Sequence, residues 1–246
     1  MLTKAIDCTI ERRLLVNYRI DPEMVARVLP GSFRPQLVRG WAVGGVCFIR
    51  MAALRPAHFP AALGPKTENV AHRFAVEWDD DQGTHAGVFI PRRATSSRMT
   101  ALAGDRVFPG AYQLARFTVT ETASELQIGV ESRDGSLSLA VSGHEATSFG
   151  GELFGSLGDA LTFFQQGSLG FSPSGTAAGL AGVRLFSEKW DGRPVRVEHI
   201  ASSMFDDTNV FPGGSCTFDS ALVMRNLPVR WRTEGSLKTD CQSKAA

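Results

Sequence analysis

Between Glu68 and Arg93 the chain alternates, and no other stretch limits its fold so strongly. ENVAHRFAVEW (68–78) sets Val70, His72, Phe74, Val76 and Trp78 at every second position, the period of a strand with one face on a core. The turn-forming DDDQGT (79–84) follows, and HAGVFIPRR (85–93) resumes an apolar run. The pattern predicts an antiparallel hairpin. Pairing Trp78 with His85 puts Glu68, Val70, His72, Phe74, Val76, Trp78, Phe89, Pro91 and Arg93 on one face. Asn69, Ala71, Arg73, Val88, Ile90 and Arg92 fall on the other, outward or semi-exposed. A slip of one residue would swap the faces of the second strand.

Similar β-like runs recur at 14–20, 41–51, 112–120, 125–132, 136–146, 181–188, 194–202 and 216–225, several joined by turns such as Asp134-Gly135 and Asp191-Gly192. Two helices stand out. One opens at Asp21-Pro22-Glu23, with an aspartate cap and proline at the first helical position; the other covers 151–165. The Gly-rich SLGFSPSGTAAGLAG (168–182) reads as a long loop. The expected fold is α+β and mainly β, a mostly antiparallel sheet with two or three helices. A chain of 246 residues can bury a core without disulfide or metal staples. No repeat or linker divides it, so residues 1–232 read as a single domain and 233–246 as a frayed, polar tail.

On the predicted inner face Glu68, His72 and Arg93 cluster at one end. Charges buried there must be paired, so the cluster is either a salt-bridge network or the wall of a pocket. Arg93 is the inward guanidinium of its pair and Arg92 the outward one. Ser96 or Ser97 caps the short segment that follows. With Arg98 nearby, the stretch suits a carboxylate or phosphate, but it lacks the glycines of a nucleotide-cradling loop. His199 shares a strand face with Val195 and Val197, as a core histidine or a pocket residue. His58, His85 and His144 read as surface positions.

Nothing in the spacing of His, Cys, Asp or Glu suggests a metal, and neither a GxSxG elbow nor a dinucleotide fingerprint is present. No cofactor is expected. A formal net charge of +1 argues against nucleic acid. The four scattered cysteines are those of a reduced, cytoplasmic protein. MLTKAIDCTIERR lacks a signal-peptide core, and no apolar run is long enough for a membrane helix.

NYRIDPEMVARVLPGSFRP, TENVAHRFAVEWD, GVFIPRRATSSRMTALAGDRVFPGAYQLARF and FDSALVMRNLPVRW together resemble a bacterial family of uncharacterised proteins in the acetoacetate decarboxylase-like superfamily, across most of residues 10–232. The resemblance implies a cone- or barrel-like antiparallel sheet around an internal pocket. It also implies a pocket glutamate at Glu68 and a pocket arginine at Arg12 or Arg13, upstream of Tyr18-Arg19-Ile20-Asp21. True decarboxylases of the superfamily use a Schiff-base lysine, and the matching Val107-Phe108-Pro109-Gly110-Ala111-Tyr112 has none. An amine nucleophile is therefore missing at that place.

The resulting expectation is a protein that binds or acts on a small organic acid or carbonyl compound without Schiff-base chemistry. Glu68 would be the acid/base, with Arg93, His72, Ser96, Ser97, Arg98 and His199 around the ligand. A binding protein without turnover and a purely structural network are the alternatives; a fully paired Glu68 favours the last. The ligand would be a small anion, with no nucleic-acid or membrane partner, and homo-oligomerisation is left open.

Overall fold

In the computed structural model, which describes residues 5–57, 59, 64–103, 110–174 and 179–237, the longest strands sit side by side. β1 (Ala5–Ile20) lies between β13 (Cys216–Leu237) and β4 (Trp41–Pro56), antiparallel to both. β4 pairs with β5 (Thr67–Asp80), which turns into β6 (Gly83–Thr95). The sheet continues through β7 (Gln113–Glu121), β8 (Glu125–Ser132), β9 (Ser138–Glu145) and β12 (Arg193–Ser202), and returns to β13. These nine strands close a barrel. The two-residue strands β2 (Arg34–Pro35) and β3 (Leu37–Val38) flank β5 and β4. β10 (Leu169–Pro173) and β11 (Leu180–Phe186) form a second bridge, from β6 to the late half of β13. The sheet is antiparallel except at β6–β7 and β6–β10.

One face of the long strands packs into the barrel through Leu14, Val16, Tyr18, Val46, Phe48, Val70, Phe74, Val223 and rings such as Phe205 and Phe211. The other face carries Leu15, Cys47, Ala75, Leu222 and Met224 and lies under α3 (Leu157–Gln166). Helix α1 (Pro22–Val28) starts as expected, with Asp21 Oδ1 accepting the Glu23 N–H at 2.8 Å. Short α2 (Arg98–Ala103) follows β6.

Four expectations are corrected. Helix α3 begins at Leu157 rather than 151, because Ser156 supplies its cap and Asp219 holds the preceding turn through the N–H groups of Glu152 and Leu153. The Gly-rich 168–182 is no loop at its ends but the strands β10 and β11. A Cβ on Gly182 would stand 2.2 Å from the Glu234 carbonyl, so glycine here permits close strand approach. The tail does not fray at 233: Thr233–Leu237 pair with β11.

The fourth concerns the hairpin. Trp78 pairs with His85 and Phe74 with Phe89, but His72 stands opposite Arg92 and Ala71 opposite Arg93. One extra residue is inserted, so Ile90 and Pro91 together face Arg73. Pro91 cannot donate to a ladder, and a bulge is one of the few sheet positions it tolerates. Beyond it the faces swap. Arg92, not Arg93, shares the face of His72. His58 and Val107–Pro109 lie outside the described residues.

Candidate functional site

Strand register lines up a row of charges. Arg225 on β13 is opposite Arg12 on β1, Arg12 is opposite Arg50 on β4, and Arg50 is opposite Glu68 on β5. Each lies two residues from a barrel-facing neighbour (Val223, Leu14, Phe48 and Val70 respectively), so alternation turns all four to the barrel interior at one mouth. Glu121 at the end of β7 and Glu145 at the end of β9 reach them from across the opening.

The pairing is dense. Arg12, 1% exposed, donates from Nη2 to Glu68 at 2.5 Å and from Nη1 to Glu121 at 2.9 Å. Arg50 donates from Nε to the other Glu68 oxygen at 2.5 Å and from Nη1 to Glu121 at 2.9 Å. Arg225 bonds Glu121 and, at 2.9 Å, Glu145. Three guanidiniums and three carboxylates thus interlock. Burial alone would raise the Glu121 pKa, but the bonds from Arg225 and Arg12 outweigh it and hold the carboxyl below its ordinary value. Burial likewise opposes the charge of Arg50 and Arg225, and their carboxylate bonds raise both in spite of it. The outer end of the row is open: Glu145 and Arg225, with Lys189, Asp191, Arg193 and Asn226, line a cleft of about 420 Å³.

Of the residues expected around a ligand, Glu68 lies in this network. Both of its oxygens are engaged, the arrangement that favours a structural role. His72 shares its face but sits deeper, fully buried beside Phe205, with Nε2 3.4 Å from the Ser202 hydroxyl. Burial, reinforced by the charge of Arg92, pushes its pKa down to about 3, so it is a neutral imidazole and no anion partner. Arg93 is buried on the opposite face, stacked on Tyr112 and donating to its hydroxyl at 3.2 Å; it does not meet Glu68. Arg92 is exposed and donates to the Ser136 carbonyl. Ser96 extends the ladder, its hydroxyl accepting the Glu68 N–H at 3.0 Å. Ser97 caps α2 through the Thr100 N–H. Arg98 is exposed and lines, with Ser96, Arg116 and Arg133, a separate cleft of about 480 Å³. His199 is exposed, because an irregularity in β12 between Val197 and His199 turns Ile200 inward instead. Asn69 is also not outward: it is 5% exposed and bonds Thr67 and the Ile49 carbonyl.

Arg50, Glu121, Arg225 and Glu145 were not among the expected site residues. Arg50 carried a local signal, since it follows Val46 and Phe48 in step. Of the two upstream arginines, it is Arg12 that meets Glu68. Arg13 lies on the other face.

The lysine question is sharpened by Gly110. Its φ is 105°, and an added Cβ would stand 3.0 Å from Ser172 Cβ, so a lysine at this place would be strained and crowded. The described lysines are elsewhere, Lys66 paired with Glu11 and Lys189 with Asp191.

Residues 8–210 match DUF2071, described as an uncharacterized conserved protein. The chain belongs to that family. No curated protein matches it significantly. Solved structures share the fold of this DUF2071 chain. An acetoacetate decarboxylase-like enzyme from Sphingomonas wittichii RW1 is 14% identical, with a TM-score of 0.60 over 95% of this chain and 91% of that one. Acetoacetate decarboxylase from Legionella pneumophila is 13% identical, with a TM-score of 0.56 over 95% and 88%. The enduracididine biosynthesis enzyme MppR complexed with pyruvate is 11% identical, with a TM-score of 0.58 over 96% and 90%. At these identities the likeness is one of fold. Among the described residues no helix is long and apolar enough to cross a membrane.

Proposed function

We propose that the barrel mouth binds the carboxylate of a small organic acid or carbonyl acid, without Schiff-base chemistry. The observation that carries this reading is Arg225, a guanidinium shared by Glu121 and Glu145 and about one-third exposed where the row meets its cleft. A ligand carboxylate that displaces Glu145 from Arg225 exchanges one anion for another. The network keeps its charge balance, and the planar fork keeps two bonds. Arg12 and Arg50 pin Glu68 from two sides, so Glu68 serves as a fixed carboxylate until a ligand frees one oxygen for proton transfer. Pyruvate bound by MppR supports the ligand class on this fold. A lyase-like reaction on such an acid is the enzymatic form of the reading, and binding without turnover the other. With a net charge of +1 the protein works without nucleic-acid or membrane partners, and its free cysteines suit the reducing cytoplasm.

Thermal unfolding with millimolar pyruvate or acetoacetate tests it. The wild-type midpoint should rise, as it must when a ligand binds only the folded state, and Arg225→Met should remove the response. An unchanged response in Arg225→Met would place the ligand elsewhere. The second reading, a purely structural network, is favoured by the full pairing of Glu68; it requires that neither acid moves the midpoint. Borohydride trapping with acetoacetate should leave no adduct, and an adduct on Lys189 would overturn the claim of no Schiff base.

A further inference from the structure

The opposite face of the same strands carries two arginines, Arg13 and Arg73, that pair with no acid among the described residues. Asn17, Gly45 and Arg73 are consecutive partners across β1, β4 and β5. Gly45 has no side chain, and an added Cβ would stand 3.1 Å from Arg73 Nη2. Through that gap Arg73 reaches across β4 and donates to Asn17 Oδ1 at 2.5 Å. Asn17 is in turn held by Ser220. The remaining donors of Arg73, Nε and Nη1, are buried with no acceptor, although the side chain is only 4% exposed. Arg13 repeats the pattern, its Nε and Nη1 buried and unpartnered. Neither forms an ion pair among the described residues. Each is covered by a ring instead: Phe164 of α3 lies 4.4 Å from the Arg73 guanidinium carbon, and Trp190 lies 5.3 Å from that of Arg13.

Such an arrangement is costly. A buried guanidinium needs an anion or a full set of acceptors, and here two like charges are close enough to act on one another. Burial pushes the pKa of Arg73 down to about 10; the nearby Cys47 opposes this and the charge of Arg13 adds to it. Ring contacts offset a part of the penalty but accept no N–H in the guanidinium plane. The four free donors are what a carboxylate satisfies.

A route exists. A cleft of about 1010 Å³ runs along this side and is lined by Cys8, Leu185 and Val229, with Gln165 at the end of α3 and Trp190 on its wall. Its volume is that of a small-molecule site, and it ends at the ring that covers Arg13.

We propose that Arg13 and Arg73 form a second site, distinct from the barrel mouth, that binds the carboxylate of an acid with an apolar body, reached from this cleft past Trp190. The carboxylate takes the free edges of the two guanidiniums. The body lies among Phe164, Leu15 and Trp190 and extends into the cleft. Binding requires Trp190 to swing away from Arg13, and the indole reports that movement.

The test uses the full chain with benzoate, hexanoate and inorganic phosphate, read by thermal unfolding and tryptophan emission. In wild type, benzoate or hexanoate should raise the midpoint by several degrees with saturation and change an emission component that Trp190→Phe lacks. Arg73→Met should fold with a midpoint at or above the wild type, since it removes an unpaired buried charge, and should lose the response. Arg13→Met should weaken binding at least tenfold, and Arg225→Met should leave it unchanged. Loss of the response in Arg225→Met, but not in Arg73→Met, would assign the ligand to the mouth and overturn the second site. So would no response in wild type, or an Arg73→Met protein that is less stable or unfolded, either of which makes the guanidinium a structural group held by Asn17 and Phe164. A larger shift with phosphate than with benzoate would overturn the apolar-body assignment.

Discussion

Arg12 and Arg13 are chain neighbours, yet they live in opposite electrostatic worlds. Arg12 faces the barrel, nearly inaccessible, and each of its two terminal nitrogens meets a carboxylate. Arg13 faces α3 and meets a tryptophan ring. Strand alternation alone produces the contrast, because adjacent side chains leave a sheet on opposite sides. The barrel face supplies three glutamates for three arginines; among the described residues the α3 face supplies none for Arg13 and Arg73. The first face is electrostatically finished by the chain itself. The second is not, and that difference separates a network that holds strands together from a pair of cations that a ligand would complete.

Breaking the finished side should have the largest effect. Arg12→Met leaves Glu68 and Glu121 partly buried with their most enclosed partner gone, and should destabilise the fold by about 3–5 kcal/mol. Arg13→Met, one residue away, should change stability by under about 1 kcal/mol in either direction, because no ion pair is lost. Urea unfolding of the two variants measures the contrast directly. Equal losses would mean that Arg13 is as fully satisfied as Arg12.

The next effect is read in pH. His72 has a depressed pKa, about 3, because burial penalises its charged form. The unfolded chain takes up that proton near 6.5, where the folded chain refuses it, so stability should fall as pH drops below about 6.5. The slope from this one group approaches about 1.4 kcal/mol per pH unit. Glu121 acts in the same direction but lower: its folded pKa lies below the ordinary 4.5, so its contribution is present above that value and lost as pH falls through the folded pKa. Unfolding free energies of wild type and His72→Leu between pH 7 and 5 separate the two, since only the histidine acts in that window. Identical slopes would show that His72 is charged, or solvated, in the folded protein.

How much of this was legible follows from where each signal lies. The 68–93 hairpin was readable because period and turn agree, and Trp78 does face His85. The bulge was written in the sequence as well, since Pro91 has no N–H for a ladder, but a strict alternation count runs through it and assigns Arg93 to the wrong face. His199 was misplaced by the same kind of irregularity in β12. Gly170 and Gly182 look like loop glycines until neighbouring strands are seen to press against them. The mouth network is harder. Arg12 and Glu121 lie 109 residues apart, and Arg225 and Glu121 lie 104 apart. Closure of the barrel brings them together, and no local pattern encodes closure.

The smallest expected effect tests the bulge itself. Arg92 and Arg93 are identical neighbours, and an uninterrupted ladder would send Arg93 inward and leave Arg92 replaceable on the outside. The bulge turns Arg92 toward the His72 side, yet at a position where its side chain remains exposed and bonds only a solvent-facing carbonyl at Ser136. Water can replace that bond, so Arg92→Ala should cost under about 0.5 kcal/mol. Its charge nevertheless depresses the His72 pKa. Arg92→Ala should therefore let His72 titrate slightly higher and make the acid slope slightly shallower as pH falls toward the folded pKa, a change that a solvent-facing arginine on the opposite side of the sheet could not produce. Arg93→Ala removes a buried side chain stacked on Tyr112 and should cost about 1–3 kcal/mol, with no effect on that slope. If Arg93 moves the acid limb and Arg92 does not, the strands pair without a bulge and the two arginines must exchange faces.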